Sequence, residues 1–98
     1  MNKFDKVMYD VNEMWSIIAS YFDVDEQNLR NNNKEDVVSA RYCLVSILCE
    51  KYNDNDISKA TKLSKSVVNK IRNKVLRKEM PRKFYLELKD VKCLLEYK

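Results

Sequence analysis

The sequence predicts an all-α protein: one compact domain of five to six helices over residues 1–98, containing a helix-turn-helix. Three observations carry that expectation. Apolar side chains recur at three- and four-residue spacing, and no strand-like alternation competes with them. The 98 residues include no glycine, which argues against a hairpin-rich β fold, whose tight turns need positive φ. The one proline, Pro81, falls late in the chain, where it marks a boundary.

The elements follow in order. Residues 5–22 place Val7, Val11, Met14, Trp15, Ile18, Tyr21 and Phe22 at helical spacing, with Asp5 as N-cap. Residues 23–30 read as a turn and a short helix whose Val24 and Leu29 point inward. Asn31, Asn32 and Asn33 form the clearest loop, because asparagine tolerates left-handed backbone where glycine is absent. Residues 35–52 are apolar around most of a helix circumference, which predicts a central helix with others packed about it. Asn53 to Asp56 supplies turn and N-cap residues. A short helix from Ile57 to Lys62 is expected next. After Leu63, a helix capped by Ser64 turns Val67, Val68, Ile71, Val75 and Leu76 to one side. A last helix over about 81–97 starts with Pro81 in its first turn and carries an inward stripe of Phe84, Leu88, Val91 and Leu95.

Composition excludes several functions. Without glycine the chain has neither a phosphate-cradling loop nor a dinucleotide fingerprint. Without histidine it lacks the commonest general base and zinc ligand. Cys43, Cys49 and Cys93 stand at no metal-ligand spacing and read as buried, reduced thiols. Acidic side chains are abundant, but nothing singles out a catalytic pair. No catalysis, cofactor, metal or small-molecule substrate is therefore expected. No apolar run of about 18 residues suggests a membrane span, and the first residues lack a signal-peptide core, so a cytoplasmic protein is expected.

The net charge of +4 hides an asymmetry. Residues 1–56 carry six basic side chains against eleven acids, a net of −5. Residues 57–98 carry thirteen against four, a net of +9. Such a division within one small domain predicts a surface that faces a polyanion.

The same basic half holds the motif. From Asp56 to Ile71 the spacing is that of a helix-turn-helix, placed at about 56–78. Ile57 and the small Ala60 let the first helix lie close on the second, Leu63 plugs the turn, and Val68 and Ile71 anchor the second helix. Lys65, Ser66, Asn69, Lys70 and Asn73 are left outward on a recognition helix of about 64–78, where they would meet base edges in the major groove. Asparagine pairs with adenine, lysine reaches guanine and serine reads either. Lys59, Lys62, Ser64, Arg72, Lys74, Arg77 and Lys78 are the expected phosphate contacts, the source of most salt-dependent affinity. Two residues depart from the usual motif. Lys62 stands where the turn prefers glycine, at a cost of roughly 1–2 kcal/mol if its backbone is left-handed, so a distorted turn is expected. Thr61 stands where a larger apolar residue is common.

The wider pattern resembles the C-terminal DNA-binding domain of DnaA-type replication initiators, a Trp-repressor-like helical fold. The matching residues run from Ile18 through Val24, then Leu29, then Val37-Val38-Ser39-Ala40-Arg41, the long helix to Tyr52, and Ile57 to Val68. They cover roughly residues 14–75. The resemblance implies a monomeric reader of duplex DNA with a basic loop before the long helix on the backbone or minor groove. Lys34 and Asn31 to Asn33 occupy that loop, and Arg41 matches the family's arginine at the start of the long helix, a further phosphate contact. The family ends its turn with paired glycines followed by Arg-Asp-His-Thr-Thr. Here Ser64-Lys65-Ser66-Val67 stands instead, after a turn one residue shorter, and the initiator's ATPase module is not expected in these 98 residues. The resemblance thus implies the fold and a replication-associated or regulatory DNA-binding role, but not origin recognition.

The competing expectation is a protein-interaction module that keeps the fold and has lost DNA binding. Its partner face would be the acidic first helix, with Asp5, Asp10, Glu13 and, nearby, Trp15.

Overall fold

The computed structural model describes residues 2–28 and 34–96. Five α-helices and one 3-10 turn are present among them: α1 Lys3–Phe22, the 3-10 turn Glu26–Asn28, α2 Glu35–Leu48, α3 Asp54–Thr61, α4 Lys65–Leu76 and α5 Arg82–Glu96. Leu29 and Asn31 to Asn33, which the sequence assigned to a short helix and a loop, lie outside the described residues.

α1 begins earlier than its apolar spacing suggests. Asn2, not Asp5, is the N-cap: its Oδ1 accepts the Asp5 backbone N–H at 2.8 Å. Asp5 becomes a first-turn acid, favourable beside the positive end of the helix dipole. Val7, Val11, Met14, Trp15, Ile18, Ala19 and Phe22 are buried. Tyr21, expected among them, lies 37% exposed and donates its hydroxyl to Asp90 of α5 at 3.0 Å. The indole N–H of Trp15 donates to the Glu26 carbonyl at 2.8 Å, which ties the 3-10 turn back onto α1.

α2 is the central helix. It buries Val37, Ala40, Arg41, Cys43, Leu44, Val45, Ile47 and Leu48, and it packs on α1, α4 and α5. It ends at Leu48 rather than near Tyr52, because the Glu50 and Lys51 N–H groups bond back three residues to Ile47 and Leu48 and tighten the chain into a turn. The Tyr52 hydroxyl then donates to the Asp10 carboxylate and fastens that turn to α1.

α3 starts at Asp54, two residues before the expected helix-turn-helix, with Asn53 as N-cap accepting from Asp56 N–H at 2.9 Å. α5 starts at Arg82. Pro81 therefore precedes the helix rather than occupying its first turn, and its carbonyl accepts the Phe84 N–H at 2.9 Å. Phe84 and Val91 are buried, with Leu88 and Leu95 partly so. Among the cysteines only Cys43 is fully buried; Cys49 is half-buried and Cys93 exposed. Burial, with Glu87 nearby, pushes the Cys43 thiol up to about 12, so it stays protonated and poorly nucleophilic. No helix of the described residues is long and apolar enough to cross a membrane.

The chain solves its lack of glycine with ordinary side chains in left-handed backbone. Asp23, Lys62 and Lys78 have φ of 55°, 62° and 61°, each just past the end of a helix, where glycine is the usual choice. After α1, Asp23 N–H bonds to Ser20 and Val24 N–H to Ala19; after α4, Lys78 N–H bonds to Val75 and Glu79 N–H to Lys74. Both are the paired backbone bonds of a Schellman terminus.

Candidate nucleic-acid interface

α3 and α4 pack directly on each other through a three-residue turn of Lys62, Leu63 and Ser64. Ile57 and Ala60 are buried where the helices meet, and Leu63, 9% exposed, closes the turn. Lys62 takes up the left-handed conformation, φ 62° and ψ 16°. The turn therefore keeps the glycine geometry despite the lysine, and two hydroxyls support it. Ser58 Oγ donates to the Leu63 carbonyl at 2.6 Å. Thr61 Oγ1 donates to the Ile57 carbonyl at 2.7 Å and accepts the Leu63 N–H at 3.3 Å. Thr61 is 1% exposed, and a larger apolar residue there could not accept that N–H. The polar choice at position 61 is what satisfies a turn without glycine.

Ser64 then caps α4, its Oγ accepting the Val67 N–H at 3.2 Å. Val68 and Ile71 are buried and fix the rotation of α4. That rotation leaves Lys65, Ser66, Asn69 and Lys70 exposed and Asn73 half-exposed. The twelve residues of α4 span about 18 Å at the usual helical rise.

The inward stripe of α4 is narrower than its sequence suggests. Val67 is 38% and Leu76 70% exposed, so both leave the core side to which their spacing assigned them. Val75 is partly buried against the core. The stripe narrows to Val68 and Ile71, with Val67 in the first turn and Leu76 in the last.

The expected phosphate contacts divide. Lys59, Lys62, Ser64, Arg77 and Lys78 are exposed around the turn and beyond α4, and Lys74 is half-buried. Lys70, Asn73, Lys74 and Arg77 line one shallow hollow with Glu79. The Lys78 ammonium lies 5.0 Å above the Tyr85 ring, an attraction that holds it near the α4–α5 junction. Tyr85 Oη ties that junction further, accepting the Met80 N–H at 3.2 Å and donating to the Val75 carbonyl at 3.1 Å. Lys34 is exposed at the N-cap position of α2.

Two arginines differ from expectation. Arg41 is only 9% exposed, so most of its side chain is packed into the domain. Arg72 is ion-paired with Asp54 at the start of α3. Neither location was legible in the spacing, because the helix pattern does not reveal through-space partners.

The helix N-termini supply one further contrast. α1, α2 and α3 each carry acid in the first turn: Asp5, Glu35 with Asp36, and Asp54 with Asp56. α4 and α5 carry none and begin with Lys65 and Arg82. A cation at the positive end of a helix dipole is unfavourable by roughly 0.3–1 kcal/mol, and an arriving anion reverses the sign of that interaction.

No family model matches the chain, and no curated protein matches it in sequence. The functional reading rests on α3, α4 and the turn between them.

Proposed function

We propose that the protein binds duplex DNA, with α3 crossing the backbone and α4 lying in the major groove. The carrying observation is the exposed row Lys65, Ser66, Asn69 and Lys70 on a helix whose opposite side is anchored by Val68 and Ile71. Its polar and basic side chains suit base edges. Lys59, Lys62, Ser64, Arg77 and Lys78 flank that row and suit phosphates, with Lys74 and Lys34 as further candidates. The role is binding rather than catalysis. The resemblance to the DNA-binding domain of DnaA-type initiators supports the same reading, as a regulatory or replication-associated protein at the nucleoid in the cytoplasm. The altered residues at Ser64 to Val67 give it a different target from the initiator's.

A second reading has one observation in its favour. Asp10, Glu13, Glu50 and Glu96 line a hollow between α1, the end of α2 and α5, together with Lys51 and Lys92, and Lys92 is ion-paired with Glu50 at 2.6 Å; the acids outnumber the lysines. That hollow suits a basic protein segment. Trp15 takes no part, since it is 6% exposed with its indole N–H on Glu26.

A fluorescence-anisotropy titration against a mixed-sequence duplex separates the two. With about five phosphates neutralised, affinity falls about 500-fold between 50 and 200 mM salt, from a slope near −4.5. No binding at 50 mM salt refutes the DNA reading.

A further inference from the structure

One polar chain links the two helices of the motif. The Asp54 carboxylate, at the start of α3, binds the Arg72 guanidinium through Oδ1 and faces Asn69 Nδ2 at 3.5 Å through Oδ2. Asn69 Oδ1 in turn accepts from Asn73 Nδ2 at 3.0 Å. Asp54 and Arg72 are both part-buried, with side-chain exposures of 23% and 34%.

The chemistry of this chain has a direction. An ionised carboxylate only accepts hydrogen bonds. Whichever end of the Asn69 amide faces Asp54 must be the NH2. The carbonyl end is thereby turned toward the Asn73 NH2. A side-chain amide has two N–H donors and two acceptor lone pairs. One of each is engaged within the protein, so one donor and one acceptor remain. That is the complement of adenine in the major groove, which offers N7 as acceptor and its N6 amino group as donor.

Asp54 also acts on Arg72. A guanidinium on a recognition helix would ordinarily add sequence-independent affinity for phosphate. Here its charge is neutralised by a carboxylate of the neighbouring helix.

Resting on the DNA reading above, we propose that Asp54 is a positioning and specificity-determining residue. It sets Asn69 as an adenine reader and withholds Arg72 from the phosphate backbone. It does both without touching DNA. The target duplex carries an A·T pair opposite Asn69, and the protein sacrifices one phosphate contact to favour sequence over charge.

The test uses the full chain and a duplex selected from a random library, with a scrambled duplex beside it. Asp54→Asn removes the charge and offers Asn69 both a donor and an acceptor, so the Asn69 amide loses its direction. Binding to the scrambled duplex tightens about eightfold at 0.1 M salt, and the salt slope steepens by about 0.9, because Arg72 gains a phosphate. Preference for the selected duplex falls about tenfold, in the range of one lost base contact. A double variant, Asp54→Asn with Arg72→Gln, returns the salt slope to the wild-type value and leaves the preference low. A purely structural role for Asp54 would change neither slope nor preference once folding is verified by circular dichroism. The equal charge change Glu96→Gln, at the end of α5, leaves the preference intact.

A wild-type slope and preference in Asp54→Asn overturn the proposal. So does a double variant whose slope is shallower than wild type by about 0.9, since Arg72 would then hold a phosphate in the native complex. The double variant decides the matter if the single variant does not fold. In either case a wild type that binds duplex keeps the DNA reading, whereas a wild type that binds none overturns both.

Discussion

Replacing Lys62 by glycine will stabilise the protein while weakening its proposed hold on DNA. Lys62 sits at φ 62° and ψ 16°, where a residue with a β-carbon is disfavoured by roughly 1–2 kcal/mol. Glycine removes that strain but gives the unfolded chain more freedom, which offsets about 0.4–1 kcal/mol. The expected net gain is about 0.8 kcal/mol. For a domain of this size that raises the melting temperature by roughly 3–6 °C. Lys62→Ala is the control, since it removes the same charge and keeps the β-carbon. It should melt near the wild type. On the proposed DNA reading both variants lose one phosphate contact, so both should reduce the salt slope of duplex binding by about 0.9. Thermal denaturation followed by circular dichroism, paired with anisotropy titrations, reads both effects. Equal melting temperatures for the glycine and alanine variants would refute the claim that Lys62 is strained. An unchanged salt slope in both would remove Lys62 from the phosphate contacts.

Three other perturbations test separate parts of the structure. Val68 is fully buried, so Val68→Asp should lose several kcal/mol, on the order of the desolvation of an unpaired charge; an unchanged melting temperature would mean α4 is rotated away from the core. Burial raises the Glu87 carboxyl above its ordinary 4.5, with Asp36, Glu35 and Asp90 adding to it and Lys83 opposing. Because the folded state holds that proton more tightly than the unfolded state, wild-type stability falls as pH rises through the folded value. Glu87→Gln should therefore melt higher than wild type at pH 7, with the gap closing below about pH 4.5; a pH-independent gap would contradict this. Mass-resolved maleimide labelling should modify Cys93 first and Cys49 more slowly, and should reach Cys43 only in denaturant, following their exposed, half-buried and buried positions.

What the sequence made legible was repetition; what it hid was pairing across space. The helix order, the central place of residues 35–48 and the capping by Ser64 all follow from side-chain spacing and local hydrogen-bond chemistry. Helix ends were less accessible, because a cap is a competition between neighbours: Asn2 outcompetes Asp5 as the α1 cap. Val67 and Leu76 were misassigned since apolar character at the edge of a stripe does not say whether another helix reaches far enough to cover it. Arg41 and Arg72 read as phosphate ligands because sequence shows their charge but not the burial of one or the Asp54 partner of the other. At Thr61 the sequence signal was present but ambiguous. Its hydroxyl marked a departure from the usual motif, and only the turn geometry shows that it closes a hydrogen bond.

Lys65 is where stability and function oppose each other most plainly. It occupies the first position of α4, exposed, in the only helix of the motif whose first turn lacks acid. A glutamate there would favour the helix dipole instead of opposing it. With each charge worth roughly 0.3–1 kcal/mol at that end, the reversal should stabilise the domain by about 1 kcal/mol, a rise of roughly 4–8 °C in melting temperature. On the proposed DNA reading the same change places a carboxylate against the groove and should weaken duplex binding far more than the loss of one cation at a remote surface site. Lys89→Glu on α5, also exposed, makes an identical change in net charge and serves as the comparison. If Lys65→Glu raises the melting temperature and weakens binding well beyond Lys89→Glu, the α4 N-terminus is held in an electrostatically unfavourable state that an anionic ligand relieves. If the two variants bind alike, the N-terminus of α4 does not face DNA, and the lysine there is simply a solvated surface charge.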